Sequence, residues 1–213
     1  MTIPDRRARV LEAFARAPDH QLPPEILAIP TLGAAPRRRL ALLNLLCRWP
    51  GCRYLEFGSF MGQSLLAAAF DNVGQFRGVE NFSQFTAVPA REALRKNLAR
   101  APELGCPVLA PASVLEIDWR EFRDGPIDVF FYDAEHDQRA TADALVHIAP
   151  MLELPAVLVV DDWELPSWAG HVQAGVYEGR ARAGLRIAEE WELPRADRWH
   201  EGIYVAIVSE IRR

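Results

Sequence analysis

Three aspartates and a histidine stand at the ends of two strongly apolar runs, and these residues are the first in the chain to invite a chemical reading. Phe130-Phe131-Tyr132 leads into Asp133-Ala134-Glu135-His136-Asp137, and Val159-Val160 leads into Asp161-Asp162-Trp163. If both runs are strands of one open parallel sheet, their carboxyl ends lie together beside the change in strand order where ligands bind. Three carboxylates at one cleft repel one another and raise each other's pKa unless a cation or a substrate hydroxyl stands between them. A divalent ion is the natural remedy, and an oxygen-only set of Asp133, Asp161 and Asp162 favours Mg²⁺ over structural zinc. Such an ion would polarise an acceptor hydroxyl and fix its direction. His136, whose ordinary pKa lies near neutrality, is the candidate general base, with Asp133 beside it in the catalytic centre. The plainer alternatives are a His136 bonded to a loop carbonyl or capping the next helix, and an Asp162 that only makes a turn.

A second constellation is Tyr54-Leu55-Glu56-Phe57-Gly58-Ser59-Phe60-Met61-Gly62-Gln63-Ser64, an apolar strand that runs into an apolar helix through a turn with two glycines. Missing side chains at such a turn let a ligand approach the backbone. The dinucleotide fingerprint fails, because its three glycine positions hold Glu56, Gly58 and Met61. Glu56 would also repel a diphosphate while tolerating an ammonium and a sulfonium, which makes a nicotinamide-dependent oxidoreductase the weaker alternative. Glu80 ends the run Phe76-Arg77-Gly78-Val79, 24 positions after Glu56. That is close to the spacing of about 20 residues at which a second-strand carboxylate accepts both ribose hydroxyls. Asn81, next along, either joins Glu80 at the ligand or caps the turn. Without a ligand, the same residues are a tight turn and a solvated strand end.

These segments resemble class I S-adenosylmethionine-dependent methyltransferases, especially the small-molecule O-methyltransferases. The loop is similar to their first motif, in which an acid precedes spaced glycines, with Phe60 replacing the middle glycine. The two strand ends are similar to Asp-Gly-Asp-His and Asp-Asp-Tyr type motifs, from which Ala134, Glu135 and Trp163 depart. The resemblance implies that S-adenosylmethionine lies along Glu56, Gly58, Ser59, Gly62, Ser64, Glu80 and Asn81 and faces Asp133. It puts the two glycines beneath the methionine part and the Ser64 hydroxyl at its carboxylate. Ser113 falls where such enzymes meet the adenine amino group, or else it caps a helix. The resemblance further implies that Asp133 with Asp161 and Asp162 holds Mg²⁺ and the acceptor oxygens. The fold it implies is an α/β, doubly wound, Rossmann-like sheet of seven strands, mostly parallel, with the last strand inserted antiparallel and helices on both faces. A non-catalytic cofactor-binding or interaction module of the same fold is the alternative that Phe60 and Glu135 leave open.

Short β-rich runs alternating with helical spacing are what such a sheet needs. Strands are expected near Tyr54–Phe57, Phe76–Glu80, Val108–Ala110, Asp128–Asp133, Ala156–Asp161, Leu185–Trp191 and Ile203–Val208. Helices are expected over Pro36–Leu46 and Val88–Leu98. A third helix is capped by Asp137, with Ala140, Ala144, Leu145, Ile148 and Leu152 inward, ending before a Pro155 that opens the next strand. Residues 1–35 read as an N-terminal cap around Val10, Leu11 and Phe14, and residues 36–213 as the cofactor-binding domain. Arg37, Arg38 and Arg39 read as a solvated helix face. His147, His171 and His200 read as structural or solvent-facing, and His20 is given no role. Trp163, Trp168, Tyr177 and Phe82 are candidate walls of an acceptor pocket, and Trp163–Gly184 reads as an insertion.

A chain of 213 residues with a formal net charge of −5 has one substantial core and no general attraction to nucleic acid. Cys47, Cys52 and Cys106 lack metal or redox spacing and fit reduced thiols in a cytoplasm. No run has the length of a signal or membrane-spanning segment, so the expected partner is a small molecule rather than a membrane, with a homodimer left open. Sugar, phenol and peptide-like acceptors all fit this pattern.

Overall fold

The apolar runs pair into a single sheet. A computed structural model describes residues 1–31, 36–83, 89–167, 169–199 and 201–212. Helices α1 (Ile3–Arg16), α2 (Pro24–Leu27) and α3 (Arg37–Leu46) precede strand β1 (Cys52–Phe57). Then come α4 (Gln63–Ala69), β2 (Gly74–Val79), α5 (Ala90–Ala99), β3 (Val114–Leu115), β4 (Ile127–Tyr132) and α6 (Gln138–Ile148). The chain closes with β5 (Leu152–Val160), α7 (Ala169–Arg182), β6 (Leu185–Leu193) and β7 (Ile203–Ile211). The strand order is β3-β2-β1-β4-β5-β7-β6, with β1 to β5 parallel and β7 antiparallel between β5 and β6. This is the methyltransferase-type Rossmann-like sheet that the resemblance implied.

β4 is buried at every position, as a central parallel strand covered on both faces must be. Successive side chains alternate between faces. Phe131 joins Val10, Leu42, Tyr54 and Val159 on one side, while Phe130 joins Phe57, Leu145, Leu158 and Val176 on the other. The first side takes in the N-terminal segment: Val10, Ala13, Leu22, Ile26 and Ile29 pack in the same core as α3 and β1. Arg6 fixes α1 to the sheet, donating to the Pro155 carbonyl at 2.9 Å and reaching Asp128 at 3.3 Å. Among the described residues, no helix is long and apolar enough to cross a membrane.

Register decides what meets at the carboxyl edge. Phe57 stands opposite Val79 on one side and Tyr132 on the other, and Tyr132 stands opposite Val160. The residues that follow continue the ladder: Gly58 N–H donates to Val79, Asp133 N–H to Phe57 and Asp161 N–H to Tyr132, each at 3.0 Å. Glu80, Gly58, Asp133 and Asp161 therefore emerge in one row. At Gly58, where φ is +91°, a Cβ would stand 1.8 Å from the Asp133 carbonyl, so only glycine lets β1 and β4 close this tightly.

Three elements differ from expectation. Val108–Ala110 is not a strand; Pro107 and Pro111 bracket it and cannot donate to a ladder, and β3 forms instead at Val114–Leu115. Leu152 and Pro155 both lie inside β5, because α6 ends at Ile148. The supposed insertion holds the 14-residue helix α7, packed on α6. Gly175 and Gly179 make that contact possible, since Cβ atoms there would meet the Gln138 and Ala142 carbonyls at 2.6 and 2.9 Å. The expected positions Val88, Trp168 and His200 lie outside the described residues.

Asp137 caps α6 as expected, its Oδ1 accepting the Ala140 N–H at 2.9 Å. Asp137→Ala should lower stability by about 1 kcal/mol, read as a lower urea midpoint with an unchanged m-value.

Candidate active site

The row of strand ends opens into a cavity of about 1030 Å³, counting the space continuous with solvent. Gly58, Ser59, Ser64, Glu80 and Asn81 line one part of it, and Asp133, His136, Asp161 and Asp162 another. Nine of the expected site residues are thus brought to one cavity; Glu56, Gly62 and Ser113 are not among its lining residues.

Glu80 is held by its own loops. One carboxylate oxygen accepts the Phe60 N–H and the other accepts the Phe82 N–H, both at 2.7 Å. A carboxylate oxygen has a second lone pair, so this clamp fixes Glu80 while leaving it able to accept from a ligand. Phe60 occupies the middle-glycine position with φ +46°, a left-handed conformation that a non-glycine residue holds at a cost of about 1–3 kcal/mol. Asn81 turns its Oδ1 to the Ser83 N–H at 2.9 Å, the local cap foreseen as an alternative.

Glu56 lies beneath the loop, fully buried, and accepts the Tyr54 hydroxyl at 2.8 Å. Burial pushes its carboxyl up to about 7, against the opposing pull of the Tyr54, Ser59 and Ser64 hydroxyls. The folded state therefore holds this proton more tightly than the unfolded chain does. Stability is full below the ordinary value of 4.5 and falls as pH rises toward about 7. The loss is on the order of 3 kcal/mol at 1.36 kcal/mol per pH unit. Glu56→Gln should flatten that segment of the curve, measured as urea midpoints between pH 4.5 and 8 against the parent. Gly62 begins α4 with φ +86° and turns its N–H to the Ser59 carbonyl at 2.7 Å, a turn-forming role behind the wall.

Ser113 sits before β3 rather than after it, in a single turn of 3-10 helix where its hydroxyl accepts the Ala110 N–H at 3.0 Å. The misplaced third strand carried this error. Ile117 and Trp119, which follow β3, take the wall position instead. Trp119 is fixed by its Nε1–H donating to Glu135 at 2.7 Å and by stacking on Phe57 at 5.6 Å.

The acid cluster departs from the oxygen-only set. Arg39 is buried, 7% exposed, and one guanidinium nitrogen pairs with Asp161 while lying 3.4 Å from Asp133. It is not on a solvated face. His136 Nε2 lies 2.5 Å from Asp162 and 3.9 Å from Asp133. The three donors whose ligand atoms come within 4.8 Å of one another are Asp133, His136 and Asp162, one of them a nitrogen; Asp161 faces Arg39. Burial raises the Asp133 carboxyl above the usual range, with Arg39 pulling against it and Asp162 adding to the rise. Asp162 takes φ +55°, a strained position for a non-glycine residue at a strand end.

The aromatic candidates also shift. Trp163 is core, stacked on Tyr204 at 4.6 Å with Tyr177 against its edge at 6.0 Å, and Phe82 lies under Arg91 at 5.0 Å. Phe60 and Trp119 line the cavity instead, together with Pro30 and Thr31 from the N-terminal segment. Gln63 ties that segment down by donating to the carbonyls of Ile26, Leu27 and Ile29 at 2.9 to 3.3 Å. Its own Oε1 is buried on the cavity wall with no hydrogen-bond partner among the described residues. Sequence spacing carried no sign of Gln63 or Trp119. Arg39 did leave one: Leu40–Leu46 is apolar around most of the helix, which marks α3 as buried from its first turn.

A family described as "Methyltransferase domain" matches residues 55–163. No curated protein matches the chain by sequence. Among solved structures, cofactor-bound Rv0187 from MTB is similar at 20% identity and a TM-score of 0.59, covering 97% of this chain and 90% of that one. The O-methyltransferase from Bacillus cereus in complex with SAH is similar at 18% identity and a TM-score of 0.56, covering 96% and 91%. The O-methyltransferase TomG from Streptomyces achromogenes, involved in tomaymycin synthesis and in complex with SAM, is similar at 20% identity and a TM-score of 0.56, covering 94% and 90%. At these identities the likeness is one of fold.

Proposed function

The chain belongs to this family of methyltransferase domains, and from that premise we propose that it transfers the methyl group of S-adenosylmethionine to a hydroxyl oxygen of a small-molecule acceptor. The observation that carries the reading is a clamped Glu80 on the wall of the cavity that also holds Asp133, His136 and Asp162. The residues present fit the cofactor's chemistry. Glu80 retains acceptor capacity for ribose hydroxyls, the buried Gln63 Oε1 lacks a donor that an ammonium would supply, and the cleft is rich in carboxylates suited to a cation.

When bound, the cofactor supplies an electrophilic methyl group on a sulfonium. Glu80 and the backbone at Gly58 orient it, and Ser59 and Ser64 offer hydroxyls along the same wall. Asp162 would hold the His136 imidazole in place, and Asp133 would stand beside it at the acceptor. His136 would take the proton of the acceptor hydroxyl, leaving its oxygen ready for the methyl group that the cofactor would supply. Holding the two reactants in line is the larger share of the catalysis, about 7–11 kcal/mol of barrier in favourable cases. Magnesium assistance, expected from three aspartates, is not part of the proposal, because Arg39 holds Asp161 and His136 holds Asp162.

Calorimetric titration with S-adenosylmethionine, followed by an acceptor screen that reads S-adenosylhomocysteine release, tests the reading. No binding at high micromolar cofactor would end it. Binding without turnover across phenols, sugars and peptide-like alcohols would favour the non-catalytic module.

A further inference from the structure

A cation of the protein already stands among the three aspartates. Arg39 Nη1 pairs with Asp161 and lies 3.4 Å from Asp133, so one nitrogen touches two of the three side chains a divalent ion would need. Asp161 is only 2% exposed, and the guanidinium also lies over the Phe131 ring at 5.8 Å. Arg39 is not on a swinging arm: Leu40, Leu42 and Leu43, which follow it on α3, are fully buried. His136 stands between Asp133 and Asp162.

We infer that the Arg39 guanidinium is the resident cation of this cleft, taking the place between Asp133 and Asp161 that a divalent ion held by the three aspartates requires, so that methyl transfer here is metal-independent. The inference rests on the methyl-transfer reading above and deepens it. Charge supports it: Arg39 offsets part of the negative charge of the aspartates, and what remains suits a sulfonium near the acceptor. A divalent ion in the same place would sit against a buried guanidinium that pairs with no other acid among the described residues, and like charges at such separations repel strongly where water is excluded. Chemistry follows from the difference. A metal orients its acceptor by chelating two oxygens, whereas Arg39 only fixes Asp133 and Asp161. The acceptor therefore needs a single hydroxyl, directed by His136 with Asp133 beside it, and vicinal diols gain no advantage.

The test uses the full chain saturated with S-adenosylhomocysteine and Mn²⁺ as the probe, with binding read by electron paramagnetic resonance and by melting temperature. The parent should show no saturable Mn²⁺ site and no change in melting temperature, and EDTA should leave turnover unchanged. Arg39→Met uncovers the acids and should gain Mn²⁺ affinity by roughly 10- to 100-fold, the usual scale of changes around a metal site. Its melting temperature should rise with the ion. Should Arg39→Met not fold, Arg39→Met combined with Asp161→Asn removes the stranded charge and should fold, whereas Asp161→Asn alone should be less stable than the double variant. Any saturable Mn²⁺ site in the parent, whether it depends on Asp161 or on the Asp133–His136–Asp162 group, would overturn the inference, as would an Arg39→Met chain that folds and binds no ion. Failure of S-adenosylhomocysteine to bind the parent would instead sink the methyl-transfer reading, so the two failures are distinguishable.

Discussion

His136→Ala should lower turnover by about 10²- to 10⁴-fold, the usual contribution of a positioned general base, while cofactor affinity stays within a few-fold of the parent. The imidazole lies 2.5 Å from Asp162 and 3.9 Å from Asp133 at the cavity wall, so removing it leaves both carboxylates but no group suited to take the proton near neutrality. Burial by itself pulls the His136 pKa down, but the hydrogen bond to Asp162 and the charges of Asp133 and Asp162 outweigh it, so the group titrates above its ordinary 6.5. The sign of the pH dependence follows. The imidazolium that dominates at lower pH cannot accept a proton, so kcat/KM should rise with pH, with its acid limb above 6.5. Asp162→Asn takes away the partner that raises the value and should move that limb to lower pH. A His136→Ala enzyme within a few-fold of the parent rate, or one with an unmoved acid limb, would show that the proton leaves by another route.

Glu80→Ala should weaken S-adenosylhomocysteine binding by about 10²-fold or more, since each hydrogen bond to a charged group contributes roughly 1.5–3 kcal/mol and two ribose hydroxyls lose theirs. The carboxylate also clamps Phe60 and Phe82 through their N–H groups, so alanine frees a loop whose Phe60 is held at φ +46°. Glu80→Gln keeps one acceptor oxygen and should fall between the two. Calorimetry gives the affinities, and melting temperatures without ligand separate a binding loss from a folding loss. Unchanged affinity in the alanine variant would mean that the ribose lies elsewhere.

Both predictions concern residues whose place at the cavity was legible in the sequence, and each was legible for a local reason. Glu80 ends an apolar run at a fixed distance from a glycine turn, and His136 follows such a run with acids around it. The third strand falls later than expected because Val108–Ala110 looks like a strand until the prolines on either side are weighed. Helix α7 failed because Gly175 and Gly179 depress helix propensity, and their use as a close-packing surface against α6 becomes visible only when α6 is in place. Trp163 looked like a pocket wall and is core, stacked on Tyr204, which lies 41 positions further along the chain.

The sequence by itself determined the class of sheet, the glycine turn after β1, the acid after β2 and the acids after β4 and β5, because period, composition and strand ends are properties of neighbours in the chain. Tertiary structure alone decided which charges meet. Asp133, Asp161 and Asp162 counted as an unrelieved triad only while Arg39, 94 positions before Asp133, was read as solvated. Folding α3 against β4 put a cation among the acids, and electrostatic interactions depend on separation through space, which spacing along the chain does not encode.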